Sequence, residues 1–170
     1  MSASVTPVKA VILDVFDTVL LRKEFTYENP YMQILSDLNV ADPKYIVKQD
    51  YNEMLTQPIS FADYIDRHAT AEISAEQREI FLNNAQQIFS KEKEIYYPRP
   101  EWQEFQDEAK ARNIKLCLGT NLSLPYTEIV NDKLAQIPHK IYSCNVGAHK
   151  PQPEFFQACC DIMNLSLIHI

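Results

Sequence analysis

The sequence predicts an α/β fold: a parallel sheet with an all-helical segment inserted after its first strand. Three observations predict it. Ala10–Leu13 is a short β-branched apolar run, AVIL, that stops at a carboxylate, the pattern of a strand buried on both faces of a parallel sheet. From about Phe25 to Tyr97 there is no convincing strand, but repeated helix-start signals occur. After Pro98, strand-like and helix-like runs alternate, which argues for parallel strands joined by right-handed crossovers.

Within the insert, Pro30 suits the first turn of a helix running through NPYMQILSDLNV. Asp42-Pro43 reads as an N-cap followed by proline, opening a second helix that carries Tyr45, Ile46 and Tyr51. Ser60 with Asp63, and Ser74 with Gln77, form capping-box patterns for a third and a fourth. Their apolar residues, Phe61, Tyr64, Ile65, Ile80, Phe81, Ala85, Ile88 and Phe89 among them, are most simply the core of a small helical bundle. Pro100 then begins a helix ending at Asn113. A strand follows over Ile114–Leu118, closing on Gly119, Thr120 and Asn121. Next come a helix over about 124–135, a strand over His139–Asn145, an exit loop GAHKP, and a last helix over Pro153–Asn164.

Composition narrows the function. A net charge of −7 and the absence of a basic patch exclude nucleic acid and an anionic membrane as obvious partners. The glycines are Gly119 and Gly147, which excludes a glycine-rich phosphate loop. Cys117, Cys144, Cys159 and Cys160 form no CxxC, and the first two lie in strand-like runs, so buried reduced thiols are expected. MSASVTPVK lacks the apolar core of a secretory leader, and no run approaches membrane-spanning length, so a cytoplasmic protein is expected. His68 and His139 read as surface residues and His149 as a solvated loop residue.

Three strand ends present polar groups: Asp14 and Asp17, then Thr120 and Asn121, then Lys150. A parallel sheet lines its strand C-termini along one edge, where ligands bind. A carboxylate nucleophile, a hydroxyl with an amide, and an ammonium together suit phosphoryl transfer. Singly, each has an ordinary explanation: Asp14 can cap the following turn, and Thr120 and Asn121 are common turn residues.

VILDVFDTVL, LCLGTN and GAHKPQPEFF resemble the first three motifs of the haloacid dehalogenase-like (HAD) hydrolase superfamily, and the helical insert sits where that family places its cap. The resemblance covers nearly the whole chain. It implies a doubly wound, Rossmann-like core over 1–23 and 98–170 with a helical cap over 24–97. It also implies a magnesium-dependent phosphatase acting on a small phosphorylated metabolite through an aspartyl-phosphate. By that match Asp14 is the nucleophile, and Thr120, Asn121 and Lys150 bind the phosphate. Asp14 and the backbone carbonyl of Phe16 hold the Mg2+, and Thr18 shapes the loop after the nucleophile.

Two departures from the family pattern stand out. Phe16 occupies the place of the usual acid/base aspartate, and Asp17 follows where glycine is common, which leaves Asp17 as a displaced general-acid candidate. An aromatic residue there also fits the dehalogenase branch, where a halide leaves unprotonated. That branch expects an arginine early in the cap, and Tyr27–Asp50 contains none. The fourth, acidic motif would begin about where the chain ends at Ile170. The expectation is therefore a truncated chain that lacks the last core strands, with LSLIHI a stub of the fourth and strand one left at a sheet edge. A phosphate-binding relative without turnover is the remaining alternative. A receiver-type phosphoacceptor is disfavoured by the long insert.

Overall fold

A computed structural model describes residues 7–24 and 28–166. β1 (Ala10–Leu13), β4 (Lys115–Thr120) and β5 (His139–Tyr142) form a parallel sheet in the order β1-β4-β5. Leu13 pairs with Leu118, and Thr120 with Tyr142, so all three strands end on the same side. Among the described residues β1 is paired with β4 alone and lies at the sheet edge.

Successive residues of β4 face opposite ways. Leu118 joins a core shared with the helical segment, whereas Cys117 joins a second cluster under the last helix, α8 (Pro153–Ile162). Gly119 is required by close approach. A Cβ there would meet Ile12 Cγ2 at 3.0 Å, Phe155 Cε1 at 3.1 Å and Cys159 Sγ at 3.2 Å, so the strand and α8 pack together only over a bare backbone. All four cysteines are free and buried, as expected of thiols used as small apolar groups.

The insert forms four helices: α1 (Pro30–Asp37), α2 (Pro43–Thr56), α3 (Phe61–His68) and α4 (Ala75–Ile95). The predicted starts are observed. Asn29 accepts from the Tyr31 and Met32 amides, and Asp42 from Tyr45. Ser60–Asp63 and Ser74–Gln77 are both reciprocal capping boxes. Tyr31, Ile34, Leu35, Tyr64, Ile65, Ala85 and Phe89 are buried together, continuous with Val15, Val19 and Leu20 of the loop after β1. The helices and the sheet thus share one core.

Several expectations are corrected. A two-stranded antiparallel ribbon, β2 (Leu20–Arg22) with β3 (Tyr96–Pro98), links the two ends of the insert, although no strand was expected from about Phe25 to Tyr97. Three-residue strands are too short to show a period and exist because they pair. Ser143–Val146 is a short helix, α7, rather than the end of a strand, so Cys144 is helical. The helix after β4 is a 3-10 turn, Leu124–Tyr126, followed by α6 (Thr127–Lys133). α5 spans Trp102–Ala111, and Asn113 lies beyond it at φ 55°. Tyr45, Tyr51 and Ile80 are exposed rather than in the bundle core. His68 is half-buried, with Nε2 2.9 Å from Asp50 Oδ2. Leu165 and Ser166 are not in a strand, and the remainder of LSLIHI, like Phe25 and Tyr27, lies outside the described residues. Among the described residues no helix is long and apolar enough to cross a membrane.

Gly119→Ala is expected to destabilise the fold by about 1–3 kcal/mol, because three packed neighbours must move. Chemical denaturation of the two chains measures this; equal stability would show that the sheet and α8 are not tightly seated there.

Candidate active site

The chain leaves β1 at Leu13 and immediately presents Asp14. The Val15 carbonyl accepts from the amides of Thr18 (3.3 Å), Val19 (2.9 Å) and Leu20 (2.8 Å), which winds the loop into a tight turn behind the carboxylate. Asp17 sits in that turn at φ 59°, the left-handed region in which a glycine is favoured. Its carboxylate is held by Arg22, with Nε–Oδ1 3.2 Å and Nη2–Oδ2 2.8 Å. The bidentate pair turns Asp17 toward the β2–β3 ribbon. Thr18 Oγ1 donates to Asp14 Oδ2 at 3.5 Å, a long bond. Arg99, just past β3, pins the same loop: its Nε donates to the Thr18 carbonyl and its amide to the Val19 carbonyl, both at 2.8 Å.

Lys150 reaches this carboxylate from the far side of the sheet. Its Nζ lies 2.6 Å from Asp14 Oδ1, with side chains 25% and 45% exposed, so the pair meets in a solvent-open mouth. Asn121 sets its position. Asn121 Oδ1 accepts from the Lys150 amide at 2.8 Å, and Nδ2 donates to the Lys150 carbonyl at 3.1 Å. Both ends of the amide therefore bond the lysine backbone, a positioning contact alongside the substrate binding expected of this residue. The preceding loop is also ordered. Gly147 turns at φ 72°, the His149 amide donates to Gln152 Oε1 at 2.8 Å, and His149 Nδ1 lies 2.9 Å from the Lys150 carbonyl. His149 is thus half-buried and bound into the loop, not solvated as expected.

Thr120 ends β4 with 1% exposure, two residues past Leu118, the partner of Leu13. Beyond it, the Leu122 amide donates to Ser143 Oγ at 3.0 Å, and that hydroxyl lies 3.3 Å from the Leu122 carbonyl. Ser143 is fully buried, so this reciprocal pair fixes the loop after β4 to the start of α7. Neither Asn121's backbone role nor Arg99's, set between two prolines, has a periodic or motif signature of its own.

A cavity of about 280 Å³ opens between the sheet edge and the helices. Phe16, Leu122 and Ser123 line it from the core, and Tyr31, Val47 and Met54 from the helices. Tyr96 and Tyr126 complete the wall, packing edge-on against the Phe16 ring at 5.0 and 6.3 Å. Phe16 therefore serves as cavity wall where an acid was a family expectation. Burial pushes the Tyr96 phenol up to about 12. Behind the wall, Tyr126 donates to Glu92 Oε2 at 2.7 Å, and burial holds the Glu92 carboxyl above its ordinary range against that hydrogen bond.

The model of the haloacid dehalogenase-like hydrolases matches residues 8–169. The chain belongs to that family. No curated protein sequence matches it. Among solved structures, it is similar to a HAD family enzyme from Bacteroides thetaiotaomicron (TM-score 0.57, 12% identity, covering 95% of this chain and 81% of that one). It is also similar to a predicted phosphoglycolate phosphatase from Haemophilus somnus (TM-score 0.51, 16% identity, 93% and 72%) and to a dehalogenase (TM-score 0.52, 12% identity, 95% and 74%). At these identities the likeness shows the shared fold, a HAD-type α/β core with inserted helices.

Glu92→Gln retains an acceptor for Tyr126 and removes a buried charge. Because the folded carboxyl titrates above its unfolded value, ionising it costs stability as pH rises. The variant is expected to melt higher than the parent at about pH 8, the gap closing toward about pH 4, where both states are protonated. Thermal melts across this range check the sign; a variant less stable at high pH contradicts it.

Proposed function

We propose that this HAD-family hydrolase is a phosphomonoesterase in which Asp14 is the nucleophile, with residues 24–97 acting as a cap over a core of 1–23 and 98–170. The observation that carries the reading is the 2.6 Å contact between Lys150 Nζ and Asp14 Oδ1 at the strand ends. A carboxylate oxygen of Asp14 attacks phosphorus, and the bond to the ester oxygen breaks, that oxygen leaving with the electron pair. Thr120 and Lys150 hold the phosphoryl oxygens and balance developing charge. Water then attacks phosphorus, the bond to Asp14 breaks, and the carboxylate and inorganic phosphate are released.

The donors present suit magnesium. The Asp14 carboxylate is 45% exposed, and Oδ2 carries only the long Thr18 contact among the described residues, which leaves an oxygen donor open. No group of three or more His, Cys, Asp or Glu converges among the described residues, so water and phosphate would fill most of a magnesium shell, as is usual for this ion. Asp14 and the Phe16 carbonyl would hold it. When bound, the ion offsets repulsion between the carboxylate and an anionic phosphate.

The dehalogenase reading draws on Phe16, since a halide needs no proton. It is the weaker of the two, because a haloacid also brings a carboxylate, and no cationic side chain lines the cavity among the described residues.

Asp14→Asn is expected to lower phenyl phosphate hydrolysis with magnesium by at least about a thousandfold, and Lys150→Ala by about a hundredfold. Asn121→Ala, which frees the lysine backbone, is expected to lower kcat by about tenfold with little change in KM. Release of phosphate is the readout, and a fully active Asp14→Asn chain would refute the assignment.

A further inference from the structure

We infer that the cavity beside Asp14 selects substrates whose leaving group is uncharged, apolar and about the size of one aromatic ring. This rests on the phosphomonoesterase reading and specifies its substrate class.

The cavity begins where the chemistry ends. Phe16 lies two residues past the nucleophile, and Asn121, which also lines the cavity, is the residue that clamps Lys150. Asp14, Thr120 and Lys150 do not line the cavity; Phe16 and Asn121 join it to them, and on the proposal the ester substituent of a phosphoryl group held between Asp14 and Lys150 enters along these two residues. The volume of about 280 Å³ accommodates a substituted aromatic ring.

Its lining decides the chemistry. Among the described residues, none of the side chains around the cavity is a lysine, arginine, histidine, aspartate or glutamate. The cations nearest in the chain are committed elsewhere: Arg22 grips Asp17, Arg99 holds the Thr18 carbonyl, and Lys150 meets Asp14. A carboxylate on the leaving group would lose water without gaining a partner, whereas a ring gains the faces and edges of Phe16, Tyr96 and Tyr126.

The polar atoms present are neutral ones. The Tyr31 hydroxyl is buried without a well-formed hydrogen bond, and Ser123 lines the same space. Burial raises the Tyr31 phenol and keeps it protonated, the Ser123 hydroxyl working in the opposite sense. Such a pair suits a hydroxyl or carbonyl on the ligand, not an ionised group. Phe16 strengthens the point chemically. With Asp17 tied to Arg22 and an aromatic ring at the acid position, no carboxylic acid faces the leaving oxygen among the described residues. A phenolate departs without protonation far more readily than an alkoxide, so an aryl ester meets both constraints at once.

The test uses binding, so it needs no turnover. The whole chain, in magnesium buffer, is titrated by calorimetry with benzylphosphonate and with phosphonoacetate, a ring probe and a carboxylate probe of the same phosphonate head. Benzylphosphonate is expected to bind at least about tenfold more tightly. Tyr51→Arg places a cation at the cavity from an exposed position, 54% accessible, where the fold tolerates it. It is expected to narrow that preference by about tenfold, as a new partner for the carboxylate. Equal or tighter binding of phosphonoacetate to the parent chain overturns the inference while leaving Asp14 and Lys150 as a phosphonate site. A preference unchanged by Tyr51→Arg overturns the assignment to this cavity. Binding of neither probe overturns the phosphate-site reading and the inference with it.

Discussion

A carboxylate and an ammonium separated by 136 residues of sequence meet at 2.6 Å, and much of the structure is arranged to bring that about. Neither group is deeply buried, so attraction between them is screened by water and does not hold them there. The holding is done by hydrogen bonds to the backbone around each partner. Three amides on the Val15 carbonyl shape the loop that carries Asp14, and Arg99 ties it to the far end of the helical insert. The reciprocal amide clamp of Asn121 fixes the backbone of Lys150. The reactive side chains stay solvated and adjustable, while the peptide groups beneath them are fixed, a division of labour that suits binding an anion between them.

The same loop explains the substitution pattern in DVFDT. The turn after Asp14 needs a left-handed residue, and Asp17 takes that conformation with its carboxylate anchored by Arg22. The anchoring compensates for the conformational cost that a glycine would avoid. Phe16 closes an aromatic wall with Tyr96 and Tyr126 and so joins the loop that carries Asp14 to the helices. One stretch thus sets the proposed nucleophile, the cavity wall and the contact between the two layers.

Much of this was legible in the order of residues. AVIL followed by Asp14, the prolines at 30 and 43, and the two capping boxes each carry a local signal, and each forms the predicted element, although AVIL is a half-buried edge strand rather than one buried on both faces. The convergence of Asp14 with Lys150 follows from strand ends alone once the sheet is parallel. What could not be read was set by tertiary pairing. The ribbon of Leu20–Arg22 with Tyr96–Pro98 has no period of its own and forms because the ends of the insert are brought together. Tyr45 keeps helical spacing yet is exposed, and Tyr51 is half exposed on the lining of the cavity, because an aromatic residue satisfies the pattern whether or not a neighbour covers it. Asn121 shows the same limit at the site: a residue type common in turns becomes the clamp for Lys150 only through a loop 29 residues away.

The central claim is that Asp14 takes up the phosphoryl group while Lys150 steadies it. The most direct measurement is acid quenching of the chain during reaction with phenyl phosphate and magnesium, followed by peptide mapping by mass spectrometry. The account predicts a hydroxylamine-labile phosphate on the peptide containing Asp14, lost in Asp14→Asn and strongly reduced in Lys150→Ala. Phosphate located elsewhere, or steady turnover with no phosphorylated peptide and undiminished in Asp14→Asn, would contradict it.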